Sequence, residues 1–148
     1  MTTDEMLMLN NQLCFTIYAC SREITRMYRP YLDEMGITYP QYLVLLVLWE
    51  TEESTVKELG ERLFLDSGTL TPLLKRMQEA ELVTRTRSSQ DERVVVIRLT
   101  EKGAKMKEAA CKVPQALFDS SGLSADDFMR LLKESQNLLD RIHRLNEK

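Results

Sequence analysis

Disulfide frameworks, metal centres and membrane anchors all need residues that this sequence has in short supply. It contains three cysteines, Cys14, Cys20 and Cys111, and one histidine among 148 residues. Three scattered cysteines are too few for a disulfide framework, and with one histidine they match no metal-ligand spacing. The sequence therefore predicts free thiols, no bound metal and no cofactor, as in cytoplasmic proteins, whose thiols are kept reduced.

Long apolar runs are absent as well. The longest, Tyr42 to Trp49, is far shorter than the roughly 20 residues that cross a membrane as a helix. The N-terminal residues MTTDEM are acidic, whereas a signal peptide begins with basic residues. No internal repeat or low-complexity linker is present. We therefore expect a cytoplasmic protein without a membrane segment, in which residues 1–148 form a single domain.

The chain has no overall excess of positive charge, since its formal net charge is −3. Nucleic-acid binding relies on lysine and arginine to neutralise phosphates, so this charge argues mildly against a nucleic-acid partner. The distribution is uneven, however, because the segment from Ser67 to Arg98 has six cations against four anions. This excess of positive charge is small, so a prediction of DNA binding has to rest on the geometry of the segment.

The stretch from Asp66 to Met77, DSGTLTPLLKRM, has the pattern of a helix with one apolar face at the i, i+3, i+4, i+7 spacing. Small residues near its start suit close approach to a nucleic-acid backbone, and later cations can reach phosphates or guanine edges. An ordinary amphipathic helix is the alternative, against which Pro72 argues because a proline inside a helix is costly. The candidate DNA-binding residues are Ser67, Gly68, Thr69, Thr71, Pro72, Lys75 and Arg76.

Further helices are predicted before this stretch. Apolar residues recur every three or four positions from Met6 to Met35, which predicts one long amphipathic helix ended by Gly36. Capping-box patterns at Thr38 and Thr55 open a buried helix through Trp49 and a short third helix. The third helix and the Asp66 helix together predict a helix-turn-helix unit.

A β-hairpin is predicted behind this unit. The β-branched segments Leu82 to Arg87 and Arg93 to Leu99 bracket the polar turn SSQDE. A hairpin directly after a recognition helix is the wing of a winged helix, and arginines at its tip can enter a minor groove. A solvated hairpin face is the alternative interpretation. The candidate wing residues are Arg85, Arg87, Asp91 and Arg93.

The ends of the chain predict dimerisation. Thr100 caps a helix from Glu101 toward Lys112, Pro114 interrupts it, and Ser124 caps a final amphipathic helix. The fold class is thus mainly α with a small β-hairpin, with a winged helix-turn-helix core over residues 37–100. Residues 5–36 and 101–148 have apolar faces that a twofold homodimer would cover, so a pseudo-palindromic double-stranded DNA operator is expected.

The chain resembles the MarR family of winged-helix repressors, and specifically its organic-hydroperoxide-sensing branch, in three segments: QLCFTIYACSRE, LFLDSGTLTPLLKRM and DERVVVIRLTEKG. The resemblance implies that organic hydroperoxides oxidise a cysteine, which matches Cys14, and so release the operator. The tyrosines that hydrogen-bond this cysteine across the dimer interface match Tyr28 and Tyr39, with Tyr18 nearby. Phenol hydroxyls can stabilise a thiolate, the form of cysteine that attacks peroxides.

The other two cysteines are given lesser roles. On a helical wheel Cys20 lies within the apolar stripe, which predicts an inert core thiol. Cys20 is six helical residues from Cys14, about 9 Å away and beyond the roughly 7 Å limit for a disulfide. Cys111 does not fall where two-cysteine sensors of the branch keep the resolving cysteine. We therefore expect a low-molecular-weight thiol to complete the reaction as mixed-disulfide partner.

Three other functions remain open from the sequence. A thiol peroxidase would need a resolving thiol nearby, and no C-x-x-C motif supplies one, so no enzyme is expected. A MarR-type repressor could instead be released by an aromatic ligand, with Cys14 structural. A global redox regulator could use the same cysteine to control many genes.

Overall fold

The computed structural model describes residues 1–147 and confirms a mainly helical fold with a small antiparallel sheet. The chain forms two compact units, Met1–Val113 and a second that begins at Pro114, and the assignment of residues 1–148 to one domain stays a prediction. Over residues 1–147 the elements are α1 Thr3–Met6, α2 Leu13–Met35, α3 Tyr39–Thr51, β1 Glu53–Thr55, α4 Val56–Leu63, α5 Ser67–Glu79, β2 Val83–Arg87, β3 Val95–Leu99, α6 Glu101–Ala110, α7 Val113–Ser121 and α8 Ala125–Asn146.

The prediction of one continuous helix from Met6 to Met35 is wrong at its N-terminal end. A 3-10 turn, Leu9–Asn11, separates α1 from α2, and Gln12 has an extended backbone before α2 begins. The Gln12 side-chain amide donates to the carbonyl oxygens of Met6 and Met8, at 2.6 and 3.0 Å. These bonds satisfy carbonyls that would otherwise accept helical N–H groups, so side chains compete with the helix here.

The central helices follow their sequence signals. α2 ends at Gly36, which adopts the left-handed conformation with φ of 72°, as the sequence predicts. The capping box at Thr38 is present, and α3 extends two residues beyond the predicted end at Trp49. Five residues of α3 are buried in the core: Tyr42, Val44, Leu45, Val47 and Leu48.

The helix-turn-helix consists of α4 and α5. The Thr55 capping box begins α4 as predicted, and Asp66 caps α5 by accepting a hydrogen bond from the Thr69 N–H at 2.7 Å. Gly60 lies in α4, where an added Cβ would be 2.8 Å from the carbonyl oxygen of Leu65 in the turn between the helices. Glycine therefore lets the turn close tightly, which fixes where α5 begins.

The predicted hairpin is confirmed as β2 and β3, but the sheet has a third strand that the sequence did not predict. β1 pairs antiparallel with β3, so the strand order is β1-β3-β2. β1 is only three residues long, too short for an alternating pattern to identify it. An exposed ion pair between Arg98 and Glu53 joins the two strands.

The C-terminal helices depart from prediction at Pro114. Pro114 was expected to interrupt a helix running toward Lys112, but α6 ends at Ala110 and Pro114 lies in the first turn of α7. A proline is tolerated there because first-turn N–H groups have no helical acceptor. Ser124 caps α8 as predicted. None of the helices within residues 1–147 is both long and apolar enough to cross a membrane.

Candidate DNA-binding face and thiol site

The face of α5 that contacts the core is the predicted one: Leu70, Leu73, Leu74 and Met77 are buried. The opposite face is exposed at every predicted position: Ser67, Gly68, Thr69, Thr71, Pro72, Lys75 and Arg76. Within residues 1–147 neither Lys75 nor Arg76 takes part in an ion pair. Both cations are therefore available to a ligand that approaches this face.

The start of α5 is arranged for close approach. The Thr69 N–H bonded to Asp66 lowers the pKa of that carboxyl group, so Asp66 stays charged and holds the first turn. Pro72 lies inside the helix and supplies no N–H to the Gly68 carbonyl. The Gly68 carbonyl therefore lacks its usual helical donor, and Gly68 lies on the exposed face of the helix.

The wing tip is held by its own arginines. Arg87 donates through Nη1 to the Glu92 carbonyl oxygen at 2.8 Å. Asp91 accepts from both the backbone N–H and the Nε of Arg93, at 3.0 and 3.2 Å, and the side-chain bond from Arg93 lowers the pKa of Asp91. The Arg93 side chain is 91% exposed, so the hairpin presents a positioned guanidinium to its surroundings, while Arg85 is half-buried.

The three thiols are all exposed. Cys14 lies in the first turn of α2, because the helix begins at Leu13. Cys20 was predicted to be a core thiol, and within the single chain this prediction is wrong because Cys20 is exposed. The cause is that the apolar stripe of α2 is itself uncovered: Leu13, Ile17, Ile24 and Met27 are between 38% and 63% exposed.

Tyr28 and Tyr39 come together as a pair at the other end of α2, with ring centroids 5.0 Å apart. Burial, followed by the proximity of Tyr39 and Tyr42, raises the pKa of Tyr28 to about 12. Burial also raises the pKa of Tyr39. A tyrosine at its ordinary pKa of about 10 is already protonated at neutral pH, so both phenols can donate hydrogen bonds.

Cys14 does not meet this tyrosine pair within the chain. Fourteen residues of one helix separate Cys14 from Tyr28, which is about 21 Å at 1.5 Å per residue. Tyr18 lies one turn from Cys14 and is 62% exposed, with the Arg22 guanidinium 5.5 Å from its ring. The structure thus places Tyr18 near the thiol, and Tyr28 and Tyr39 near each other but far from it.

Sequence reasoning missed Tyr42, the third member of the aromatic cluster. Its ring lies 5.6 Å from Tyr28 and 6.2 Å from Tyr39. The available signal was its i+3 spacing from Tyr39 on a capped helix, which places both on one face.

Uncovered apolar surface also occurs on α8. No residue over Ala125–Asn146 is buried, and its exposed large side chains are Phe128, Met129, Leu131, Leu132, Leu139, Ile142 and Leu145.

Within the part of the chain that the structure describes, no group of three or more His, Cys, Asp or Glu residues could hold a metal ion.

Comparisons with known proteins agree with this architecture. The family described as Transcriptional regulator SarA/Rot matches residues 26–110. The chain is 54% identical over 138 residues to the organic hydroperoxide resistance transcriptional regulator of Bacillus subtilis, covering 93% of this chain and 94% of that protein.

Solved structures of two similar proteins extend the comparison. Reduced AbfR bound to DNA matches with a TM-score of 0.77 and 38% identity, over 95% of this chain and 99% of that one. AbfR has also been solved overoxidised and bound to DNA, and in a disulfide form. A MarR variant from Escherichia coli complexed with operator DNA matches with a TM-score of 0.78 and 28% identity, over 86% and 93% of the chains. The chain belongs to the MarR family of winged-helix transcriptional regulators, alongside the organic hydroperoxide resistance regulators.

Proposed function

We propose that the protein is a homodimeric repressor that binds a pseudo-palindromic DNA operator and releases it when an organic hydroperoxide oxidises Cys14. The observation that carries this proposal is the position of Cys14. Its exposed thiol lies on a helix whose apolar stripe is uncovered in the chain itself. A second chain that covers this stripe would enclose the thiol within a protein interface.

DNA binding is assigned to the exposed face of α5 and to the wing. Lys75 and Arg76 extend from a helix whose first turn carries small residues, and Arg93 extends from the tip of the hairpin. An α-helix fits a major groove, and arginine at a wing tip fits the adjacent minor groove. A twofold dimer would place two such units about one helical turn apart, which explains the expected pseudo-palindrome.

The sensing site takes residues from both chains in this proposal. Because about 21 Å of helix separates Cys14 from Tyr28 within one chain, the tyrosines that bond the thiol belong to the other chain. Two α2 helices that run in opposite directions across a twofold axis would bring one chain's Cys14 to the other's Tyr28 and Tyr39. The apolar stripe of α2 would hold this arrangement, since each fully buried leucine-sized side chain contributes about 1.5–3 kcal/mol.

The proposed chemistry has two steps. The Cys14 thiolate attacks a peroxide oxygen, so that an S–O bond forms while the O–O bond breaks. The sulfur is oxidised to a sulfenic acid, and the hydroperoxide is reduced to an alcohol after taking up a proton. A low-molecular-weight thiol then attacks the sulfenic sulfur, an S–S bond forms, and water leaves.

The mixed disulfide is proposed as the state that releases DNA. To reduce operator occupancy from 99% to 1%, oxidation must favour the open arrangement by about 5.5 kcal/mol. A pair of tyrosines that fits a thiolate but not a bulky adduct supplies such a bias. The similar protein AbfR has been solved overoxidised and bound to DNA, which favours a mixed disulfide over an overoxidised thiol as the state that releases DNA.

Operator binding before and after oxidation tests the proposal. Wild type, Cys14→Ser and the Cys20→Ser/Cys111→Ser double variant are titrated with operator DNA, with and without an organic hydroperoxide and a small thiol. We expect Cys14→Ser to bind and never release, and the double variant to release like wild type when the small thiol is present. Release by Cys14→Ser would refute sensing at Cys14, and failure of the double variant to release would make another cysteine the resolving partner.

Release by a small aromatic ligand is a second candidate function, favoured by a cavity of about 360 Å³ between α2 and α6. Tyr31, Met35 and Met106 give it apolar walls, and Lys102 and Lys112 lie along its lining. This volume is at the lower end of the range for small-molecule sites. If Cys14→Ser kept its response to the hydroperoxide, this second function would be preferred.

A further inference from the structure

Tyr42 connects the Tyr28–Tyr39 pair to the interior of the DNA-binding unit. Its ring centroid also lies 6.3 Å from that of Trp49, edge-on at 76°. Tyr42 is only 2% exposed, so it cannot move into solvent when a neighbouring ring shifts. Close-packed interiors transmit such displacements instead of absorbing them, and a rearrangement of the tyrosine pair therefore reaches Trp49.

Trp49 in turn connects α3 to α6. Its indole Nε1 donates to the Gly103 carbonyl oxygen at 3.0 Å, in a partly buried position. Trp49 and Gly103 are 54 residues apart in the chain. The bond therefore joins α3, which precedes α5 and the hairpin in sequence, to α6, which follows them. A shift of the indole would change the position of the first turn of α6.

That first turn has no freedom to move independently of the hairpin base. A Cβ added to Gly103 would lie 2.2 Å from the Leu82 carbonyl oxygen, so the two backbones are in direct contact. No other residue type would allow this approach without displacing backbone atoms. Gly103 and Leu82 therefore move together.

Three more bonds hold the same junction. Thr100 donates through its N–H to the Leu82 carbonyl at 3.1 Å and through Oγ1 to the Glu81 carbonyl at 2.6 Å. Lys102 Nζ donates to the Ala80 carbonyl at 2.9 Å. Residues 80–82 are the whole link between the end of α5 and the start of β2. The bonds at the start of α6 therefore hold the junction between the recognition helix and the wing.

We propose that Tyr42 and Trp49 are positioning residues that pass the state of the Tyr28–Tyr39 pair to residues 80–82, and so set the orientation of α5 relative to the wing. This inference rests on the proposed function and names the contacts through which a change at the tyrosine pair would reach α5 and the wing. The route consists of ring contacts, one indole hydrogen bond and a backbone contact.

A purely structural role for Trp49 predicts a different result. If the indole only fills the core, its loss lowers stability and weakens operator binding equally in the reduced and oxidised states. If it carries the switch, its loss reduces the ratio of the oxidised to the reduced dissociation constant. This release ratio separates the two roles, because a uniform loss of affinity cancels from it.

The experiment measures the release ratio for wild type, Trp49→Phe, Tyr42→Leu and Leu45→Val. Trp49→Phe keeps an aromatic ring and removes the hydrogen bond to Gly103. Tyr42→Leu removes the ring that contacts Trp49, and Leu45→Val disturbs the buried side of the same helix without affecting an indole bond. We expect the ratio to fall at least about fivefold in Trp49→Phe and in Tyr42→Leu, and to stay at the wild-type value in Leu45→Val.

The outcomes distinguish this inference from the proposed function. If wild type releases DNA and Trp49→Phe releases it by the same factor, the route is refuted while hydroperoxide sensing stands. If wild type itself does not release DNA on oxidation, the proposed function fails and the route fails with it. A fall of equal size in Leu45→Val would also refute the route, since general destabilisation would then explain the effect.

A second measurement does not depend on a substitution that could impair folding. Trp49 is the only tryptophan, so 5-fluorotryptophan labelling of the chain gives a ¹⁹F signal from this one site. We expect the resonance to shift when the hydroperoxide and the small thiol oxidise wild type, and to stay in place in Cys14→Ser. An unchanged resonance in oxidised wild type that has released its operator would overturn the inference.

Discussion

The ring centroids of Tyr28 and Tyr39 lie 5.0 Å apart with their planes at 56°, although Tyr28 lies in α2 and Tyr39 is the first residue of α3. The turn at Gly36 folds the two helices back on each other and makes this pairing possible. Burial raises the pKa of both phenols, which extends their protonated range further into alkali. A protonated phenol is the donor that an anionic sulfur requires, so the pair is suited to bind a thiolate.

The raised pKa of Tyr28 predicts a loss of stability in alkali. Its pKa is about 12 in the folded chain against about 10 when unfolded, so its contribution is present below pH 10 and is lost between pH 10 and 12. We expect the free energy of unfolding in urea to fall less between pH 9 and pH 11 in Tyr28→Phe than in wild type. In Tyr18→Phe, which changes an exposed tyrosine, the free energy of unfolding should fall as much as in wild type. An equal fall in all three proteins would contradict the prediction.

Arg93 at the wing tip should contribute to operator affinity. Arg93→Ala removes a guanidinium that Asp91 positions, and a good base contact contributes about 1–3 kcal/mol. Arg93→Lys keeps the charge without the planar group, so it should lose most of the same binding free energy if the contact is bidentate. Fluorescence anisotropy at fixed salt measures both. Unchanged affinity in Arg93→Ala would remove the wing from DNA recognition.

Lys75 and Arg76 offer a matched pair on the recognition helix, since they are adjacent and exposed. Loss of a phosphate contact weakens binding to all sequences equally and reduces the salt slope by about 0.9. Loss of a base contact relaxes specificity at one operator position. Measuring Lys75→Ala and Arg76→Ala on the operator and on unrelated duplexes at several salt concentrations assigns each role. If neither variant changes affinity, α5 does not read DNA through this face.

The uncovered apolar faces predict that single charges there will dissociate the dimer. Ile17 on α2 and Ile142 on α8 are 45% and 46% exposed, so Ile17→Glu and Ile142→Glu leave the core of each chain intact. Both should sediment as monomers and lose operator affinity, because a carboxylate buried in an apolar interface is strongly unfavourable.

Leu46→Glu is the control for this prediction, because Leu46 is a large apolar residue of α3 that is 37% exposed. It should remain dimeric and bind operator as wild type does. If Ile17→Glu and Ile142→Glu remained dimeric as well, the two helices would not form the interface.

Local signals in the sequence were sufficient for most helix starts and for the recognition face. The capping boxes at Thr38 and Thr55 fix their helices through bonds between residues three apart, which a sequence displays directly. The period of apolar residues in α5 likewise separates its buried face from its exposed face. These features depend on neighbours within one or two turns, so they can be predicted without knowledge of the fold.

Features that have no recognised sequence pattern, or that depend on distant contacts, were missed or misjudged. The side chain of Gln12 breaks the N-terminal helix through local bonds that have no recognised sequence pattern. β1 exists because β3 pairs with it. Cys20 was assigned to a core because apolar periodicity shows which face is buried in an assembly, not whether the same chain covers it. The link from Trp49 to Gly103 spans 54 residues and has no local signature.

The contact between Gly103 and Leu82 determines which mutations the start of α6 can tolerate. Lys102 and Ala104, on either side, are exposed and have room for many side chains. Gly103 has no space for even a methyl group, although helix interiors usually favour alanine over glycine. A library of all single substitutions, selected for operator binding, should therefore be depleted of every variant at position 103 while retaining most variants at position 104.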